Sequence, residues 1–172
     1  DLGGRAISLI GEVGAAATIV DAGGSGSALS VPFTPGGPLL VRGLTLTNGN
    51  GTLSRGGKRD ERCGGGVFVE LAFGRFEDCR IVGSVANHGG GVYVLAGAPE
   101  FVRCTISGNS SGVGGGVEVD NDGGVLMKDC EIAGNDAVYG GGVNAFRGGI
   151  LLDGCRVVGN RAYLAAAIRV IN

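Results

Sequence analysis

A unit of 25 or 26 residues that opens on three glycines recurs down this chain and restricts what it can fold into. It starts at Gly64 (GGGVFVELAFGRFEDCRIVGSVANH), Gly89 (GGGVYVLAGAPEFVRCTISGNSSGV), Gly114 (GGGVEVDNDGGVLMKDCEIAGNDAVY) and Gly140 (GGGVNAFRGGILLDGCRVVGNRAYL), and reopens at Ala165 as AAAIRVIN. Cys79, Cys104, Cys130 and Cys155 keep step, each 10 residues before the next start. A fixed period of this size signals stacked supersecondary units, each resting on its neighbours. The distance from start to cysteine is 15, 15, 16 and 15, so the extra residue of the third copy belongs to the turn Asp120 to Gly124. A loop absorbs such a residue more readily than a strand does.

Three short alternations inside each unit read as strands. In the first, Val67/Val69, Val92/Val94, Val117/Val119, Val143/Ala145 and Ile168/Val170 point to a core. Phe68, Tyr93, Glu118, Asn144 and Arg169 form the opposite column, whose mixed character predicts a solvent face. A second strand ends on Phe76, Phe101, Met127 and Leu152; a third turns the cysteines and Ile81, Ile106, Ile132 and Val157 inward. No 3.6-residue period occurs, and the glycine triplets would break a helix. The expectation is an all-β, single-stranded parallel β-helix of about 25 residues and three short strands per coil.

The pattern GGGVYV…FxxCTISGN resembles the rungs of right-handed parallel β-helices of the pectin-lyase-like superfamily. It is most similar to the repeats of polymorphic outer-membrane proteins and related large surface proteins. The resemblance extends to AISLIGE…ATIVDAGGSGSALSV…LLVRGLTLTNGNG near the start. It implies the fold and the hand; for function it leaves lyases, hydrolases, adhesins and passive stalks open, because function resides in grafted sites.

Composition fits a narrow, packed solenoid: 38 of 172 residues are glycine, yet 44% are hydrophobic and none is tryptophan. A net charge of −2 with both signs interspersed points away from nucleic acid and anionic membranes. The longest uncharged run, Ala22 to Val41, is interrupted by Gly, Ser and Pro and predicts no membrane insertion of this segment. The chain reads as one domain: opening coils over 1–49, a projecting insertion over 50–63, four regular coils over 64–164 and the start of a further coil at 165–172. In the opening coils Ser27 to Val31 takes the place of GGGVYV, and Leu40 to Asn48 matches FVRCTISGN with Gly43 at the cysteine position.

Candidate site residues fall in columns. Asn48, Asn109, Asn135 and Asn160 form one, with Ser84 standing in, and predict an asparagine ladder along the stack. Asn109-Ser110-Ser111 and Asn50-Gly51-Thr52 also fit the glycosylation acceptor pattern, Asn50 better because it lies in the insertion. The cysteine column is linear rather than tetrahedral, which argues against zinc. Its members read as buried free thiols, with disulfides between neighbouring coils the alternative. Cys63 stands outside the column, a lone thiol or one awaiting a partner.

No catalytic, cofactor-binding or metal-binding residue is expected. A lyase or glycosidase of this fold needs clustered carboxylates or a base on an exposed face. Here the columns Asp78/Arg103/Asp129/Gly154 and Arg80/Thr105/Glu131/Arg156 mix both signs, as cross-strand ion pairing requires. His88, the single histidine, reads as a turn residue rather than a base. The expectation is therefore a non-enzymatic, extracellular or cell-surface structural or adhesive module without a cofactor. Its expected partners are itself through head-to-tail stacking into a filament, further coils of a parent chain, or glycans. The alternative is a polysaccharide-active lyase or glycoside hydrolase, or a carbohydrate-binding module.

Overall fold

A computed structural model of the chain describes residues 6–32, 39–54 and 60–171. The chain winds through four six-stranded sheets, each receiving one strand per coil, and no helix occurs among the described residues. Sheet 1 holds the strands that follow the glycine triplets: Leu29–Val31, Val67–Glu70, Val92–Leu95, Val117–Asp120, Val143–Phe146 and Ile168–Ile171. Sheet 2 runs from Ile7–Ile10 and Leu39–Arg42 through Arg75–Glu77, Glu100–Val102 and Gly124–Lys128 to Gly149–Asp153. Sheet 3 holds Ile19–Asp21, Thr45–Thr47, Arg80–Val82, Thr105–Ser107, Glu131–Ala133 and Arg156–Val158.

Sheet 4 is an addition to the three strands per coil expected from the sequence. Val85–His88, Ser110–Val113, Asp136–Tyr139 and Arg161–Leu164 pair in parallel, where the sequence suggested a turn. The constant 10 residues from each cysteine to the next triplet thus span a sheet 3 strand and a sheet 4 strand, both held in register, which is why that arc has no length variation.

Pairing in sheets 1, 2 and 3 is parallel throughout and in register at the repeat spacing: Val92 faces Val67 and Val117, and Ile106 faces Ile81 and Ile132. Like side chains therefore stack along the axis at the ~4.8 Å strand spacing. Phe76 and Phe101 stack at 4.6 Å between centroids, and together with Val41, Ile81, Ile106 and Met127 they fill the main core.

Every regular coil turns its corners with left-handed residues in matching columns. Leu71, Ala96, Asn121 and Arg147 leave sheet 1 with φ of 51, 48, 50 and 50°. Asp78, Arg103, Asp129 and Gly154 precede the cysteines at 51, 51, 52 and 62°, with Gly43 of the opening coils in the same place at 67°. Gly83, Gly108, Gly134 and Gly159 close sheet 3, and the first glycine of each triplet makes the fourth corner at 58 to 62°. One left-handed residue reverses an extended chain in the fewest atoms, and glycine does so without steric cost. The extra residue of the third copy lies in the corner beside Asp120, where Asn121 and Asp122 are both left-handed.

The second and third glycines are required by close approach. A Cβ on Gly65, Gly90, Gly115 or Gly141 would lie 2.8, 2.5, 2.6 or 2.2 Å from the carbonyl oxygen that begins the adjoining sheet 4 strand. On Gly66, Gly91, Gly116 or Gly142 it would lie 2.3 to 2.8 Å from the side chain of Ile81, Ile106, Ile132 or Val157. Sheet 4 therefore folds back onto the outer face of sheet 1 with only glycine between them at one edge.

That second layer corrects the expected solvent face. Phe68, Tyr93, Glu118 and Asn144 are all buried, Phe68 and Tyr93 in a separate apolar cluster with Leu95 and Cys63. Two further expectations change. The opening coils sit one residue out of the expected alignment: Thr45 pairs with Arg80, which gives Leu44 the cysteine position and places Asn48 in the corner column at φ 57°. The insertion does not leave the stack as a whole. Thr52–Leu53 and Arg62–Cys63 form an antiparallel hairpin, and Cys63 pairs with His88 as part of sheet 4.

Replacing Gly115 by alanine is expected to cost about 1–3 kcal/mol or more, because backbone oxygens of Asp136 and Gly141 occupy the space its Cβ needs. At Gly124, where nothing lies within 4 Å, the same change should be neutral or stabilising by about 0.4–1 kcal/mol. Urea midpoints for the two variants measure this, and equal midpoints would contradict the packing described.

Candidate functional site

Three sets of polar or reactive side chains are enclosed by these layers. The first is the asparagine ladder where the chain passes from sheet 3 to sheet 4. Asn109 Oδ1 accepts from Ser84 N at 3.0 Å, while Asn109 Nδ2 donates to Ile81 O and to Asn135 Oδ1, both at 3.0 Å. Asn135 repeats this with Asn160, and Asn160 Nδ2 reaches Ile132 O at 2.9 Å. Each amide satisfies backbone groups that the corner leaves without a sheet partner, which buried groups require. Asn48 is not a rung: it is exposed and donates to Asp21 Oδ1 at 2.9 Å, and Gly49 holds the ladder position by donating to Ser84 Oγ.

This geometry removes Asn109 as a glycosylation acceptor in the folded chain, since its amide is fully buried and committed to the ladder. Asn50 is half-buried, and its Oδ1 accepts from Gly26 N and Arg62 Nη1. Among the other residues of the insertion, 55–59 lie outside the described residues.

The second set is the thiol column. Cys79, Cys104, Cys130 and Cys155 are free, and the Cys130 and Cys155 sulfurs accept from Cys104 N and Cys130 N at 3.4 Å. The thiols donate in turn to carbonyls such as Phe76 O and Phe101 O. Hydrogen bonding with the Cys130 and Cys79 thiols, reinforced by burial, pushes the Cys104 thiol far above its ordinary value and so away from the reactive thiolate. Cys63, in sheet 4, is fully buried and packs with Phe68, Tyr93 and Leu95 of sheet 1.

The third set lies between sheets 1 and 4. His88 Nδ1 contacts both oxygens of Glu118, at 3.1 and 3.0 Å, and His88 Nε2 contacts Glu61 Oε2 at 2.6 Å. Each ring nitrogen thus has a carboxyl partner, and the two contacts fix the ring between the layers. One coil away, Tyr93 donates its phenol to Asp120 Oδ2 at 3.0 Å. Burial, then the Asp120 carboxylate, drive the Tyr93 phenol far above its usual range, so it stays a donor. The cluster ties three places together: the end of the insertion hairpin, sheet 4 and the outer face of sheet 1. It is a clasp between layers. Among the described residues no group of three His, Cys, Asp or Glu side chains is placed to hold a metal ion.

The outward faces of sheets 2 and 3 carry paired charges. Arg103 grips Asp78 with two hydrogen bonds of 2.7 and 2.8 Å and holds its carboxyl below the usual carboxylate range. Arg75 bridges Glu77 and Glu100, and Arg156 faces Glu131 at 3.4 Å.

The family described as right handed beta helix region matches residues 40–171, well over half of the chain. The chain belongs to the right-handed beta helix family. No curated protein and no solved structure matches it at a significant level.

The inner clasp of this beta helix escaped sequence reasoning because Glu61, His88 and Glu118 are 27 and 30 residues apart, with His88 in sheet 4, Glu118 in sheet 1 and Glu61 just before the hairpin strand Arg62–Cys63. One signal was present: two stacked aromatic residues, Phe68 and Tyr93, in a column otherwise read as wet. Removing one partner should expose the energetics. His88→Ala is expected to cost about 3–5 kcal/mol by leaving the Glu118 carboxylate buried without its histidine partner. The double variant His88→Leu/Glu118→Leu should lose less than His88→Ala alone in denaturant titrations. A larger loss in the double variant would contradict the pairing of His88 with Glu118.

Proposed function

We propose that this beta helix is a non-enzymatic structural and adhesive module of an extracellular or cell-surface protein, joined to further solenoid coils end to end. The observation that carries this reading is the enclosure of Glu118 and Asp120 between sheets 1 and 4, with Glu100, Asp78 and Glu131 on the outer faces of sheets 2 and 3 paired to arginines. Glu118 and Asp120 are 1% and 2% exposed, and the clasp they belong to holds two layers together. A glycosidase or lyase needs its carboxylates or base facing a groove that a sugar chain can enter. The charges on the flanks of sheets 2 and 3 pair with one another, which suits a flat contact surface.

End-to-end association is supported by apolar side chains standing in solvent on the first and last coils. Ile10, Val13, Ile19 and Val20 are exposed at one end, and Leu151, Tyr163, Ile168 and Val170 at the other. Open parallel strands with apolar side chains template further pairing. A heterologous contact of this kind does not close, so it builds a filament. The narrower kinship with polymorphic outer-membrane repeats of the pectin-lyase-like superfamily belongs to this proposal, as does the surface location that kinship carries. Contact with glycans and a sugar on Asn50 are compatible with it.

Sedimentation velocity and electron microscopy over a concentration series test the reading. Mass should grow with concentration and rods should form, and Val170→Glu, which places a charge on the exposed last strand, should return the chain to monomer. A monomer at every concentration would overturn end-to-end association.

A further inference from the structure

We infer that the flank of sheet 1 beside the insertion hairpin binds a lysine side chain of a partner polypeptide, with Glu70 receiving its ammonium group. Where the hairpin diverts the chain, the outer layer over sheet 1 leaves a groove of about 420 Å³, lined by Ser30, Pro32, Thr52, Leu53, Phe68, Glu70 and Leu71. Its floor comes from Phe68 and Glu70 and its wall from the hairpin strand Thr52–Leu53. Glu70 is only 9% exposed, yet it makes no hydrogen bond or ion pair among the described residues. Asp120, two coils further along the same column, is met by the Tyr93 phenol. The Glu70 carboxylate opens to the groove without a protein partner among the described residues, so a cation entering the groove pairs with it.

The walls define the cation. Pro32, Leu53 and Leu71 offer apolar surface for an aliphatic stem, with Ser30 also in the lining, while Thr52 Oγ1 is engaged with Ser27. A lysine fits this division, with a methylene stem that lies on apolar surface and an ammonium with three donors. The rim argues for a polypeptide rather than a free amine. Leu53 and Leu71 are 56% and 51% exposed, and Phe73, two residues on, is 73% exposed, giving apolar contact beyond the reach of a small diamine. This site is independent of the end-to-end association proposed above, since it lies on the flank.

Titrating the ¹⁵N-labelled chain with Nα-acetyl-lysine methylamide, n-butylammonium, 1,4-diaminobutane and neutral n-butanol tests it by amide shifts. Saturable shifts at Ser30, Phe68 and Leu71 are expected with the ammonium probes, at least tenfold weaker with butanol. Glu70→Gln, with an otherwise unchanged spectrum, should abolish them, and Leu53→Ser should weaken them severalfold. Tighter binding of the lysine compound than of diaminobutane supports the polypeptide source, and the reverse order overturns it. Absence of saturable shifts with any ammonium probe, or an undiminished response in Glu70→Gln, overturns the site.

Discussion

The approach of one backbone to another, with no side chain between them, is the constraint on which this molecule rests. Sheet 4 can lie on sheet 1 only because the second residue of each triplet has no Cβ, and the carbonyl oxygen that starts each sheet 4 strand occupies that space. The contact makes the protein two layers thick along one flank. It converts the outer face of sheet 1 into interior, and it places Glu118, Asp120 and Asn144 among buried residues. The clasp of His88 with Glu61 and Glu118 follows from that burial, since polar groups removed from water persist when they find each other.

Because contacts repeat at one spacing, stability here is a sum over neighbouring coils. The main core contributes stacked Val, Ile and Phe columns. The corners contribute amides and thiols that satisfy backbone groups no sheet reaches. Paired charges on the outer faces add little per pair, since exposed ion pairs are worth about 0–1 kcal/mol.

Much of this was legible in the sequence, and the exceptions share a cause. The period, the inward Val, Ile, Phe and Cys columns, and the location of the third copy's extra residue all rest on interactions between identical positions of successive coils. A repeat displays such interactions directly. Sheet 4 was missed because its strands read VANH, SSGV, DAVY and RAYL, which share no strong alternation, and because they pack against glycine, which leaves no apolar signature. The face of sheet 1 was misread for the same reason: its cover was invisible. Asn48 was placed one position early because the opening coil lacks cysteine and offers both Gly43 and Leu44 as its counterpart; only the pairing of Thr45 with Arg80 decides between them. Glu70 gave no sign in the sequence, since its isolation arises from where the hairpin happens to lie.

The asparagine ladder also gives the stack a direction. Each amide oxygen turns toward the preceding coil, accepting from Ser84 N, Asn109 N or Asn135 N, while Asn109 Nδ2 and Asn135 Nδ2 reach forward to the next amide oxygen. The amide dipoles of Asn109, Asn135 and Asn160 therefore add along the axis instead of cancelling between neighbours. An inward-facing column of aligned dipoles, shielded from water, behaves as a small electret. One end of the column closes on Ser84 and Gly49, and the other ends on the amide of Asn160, so the two ends are not interchangeable. Growth of such a stack has a polarity written into its corner before any surface contact is made.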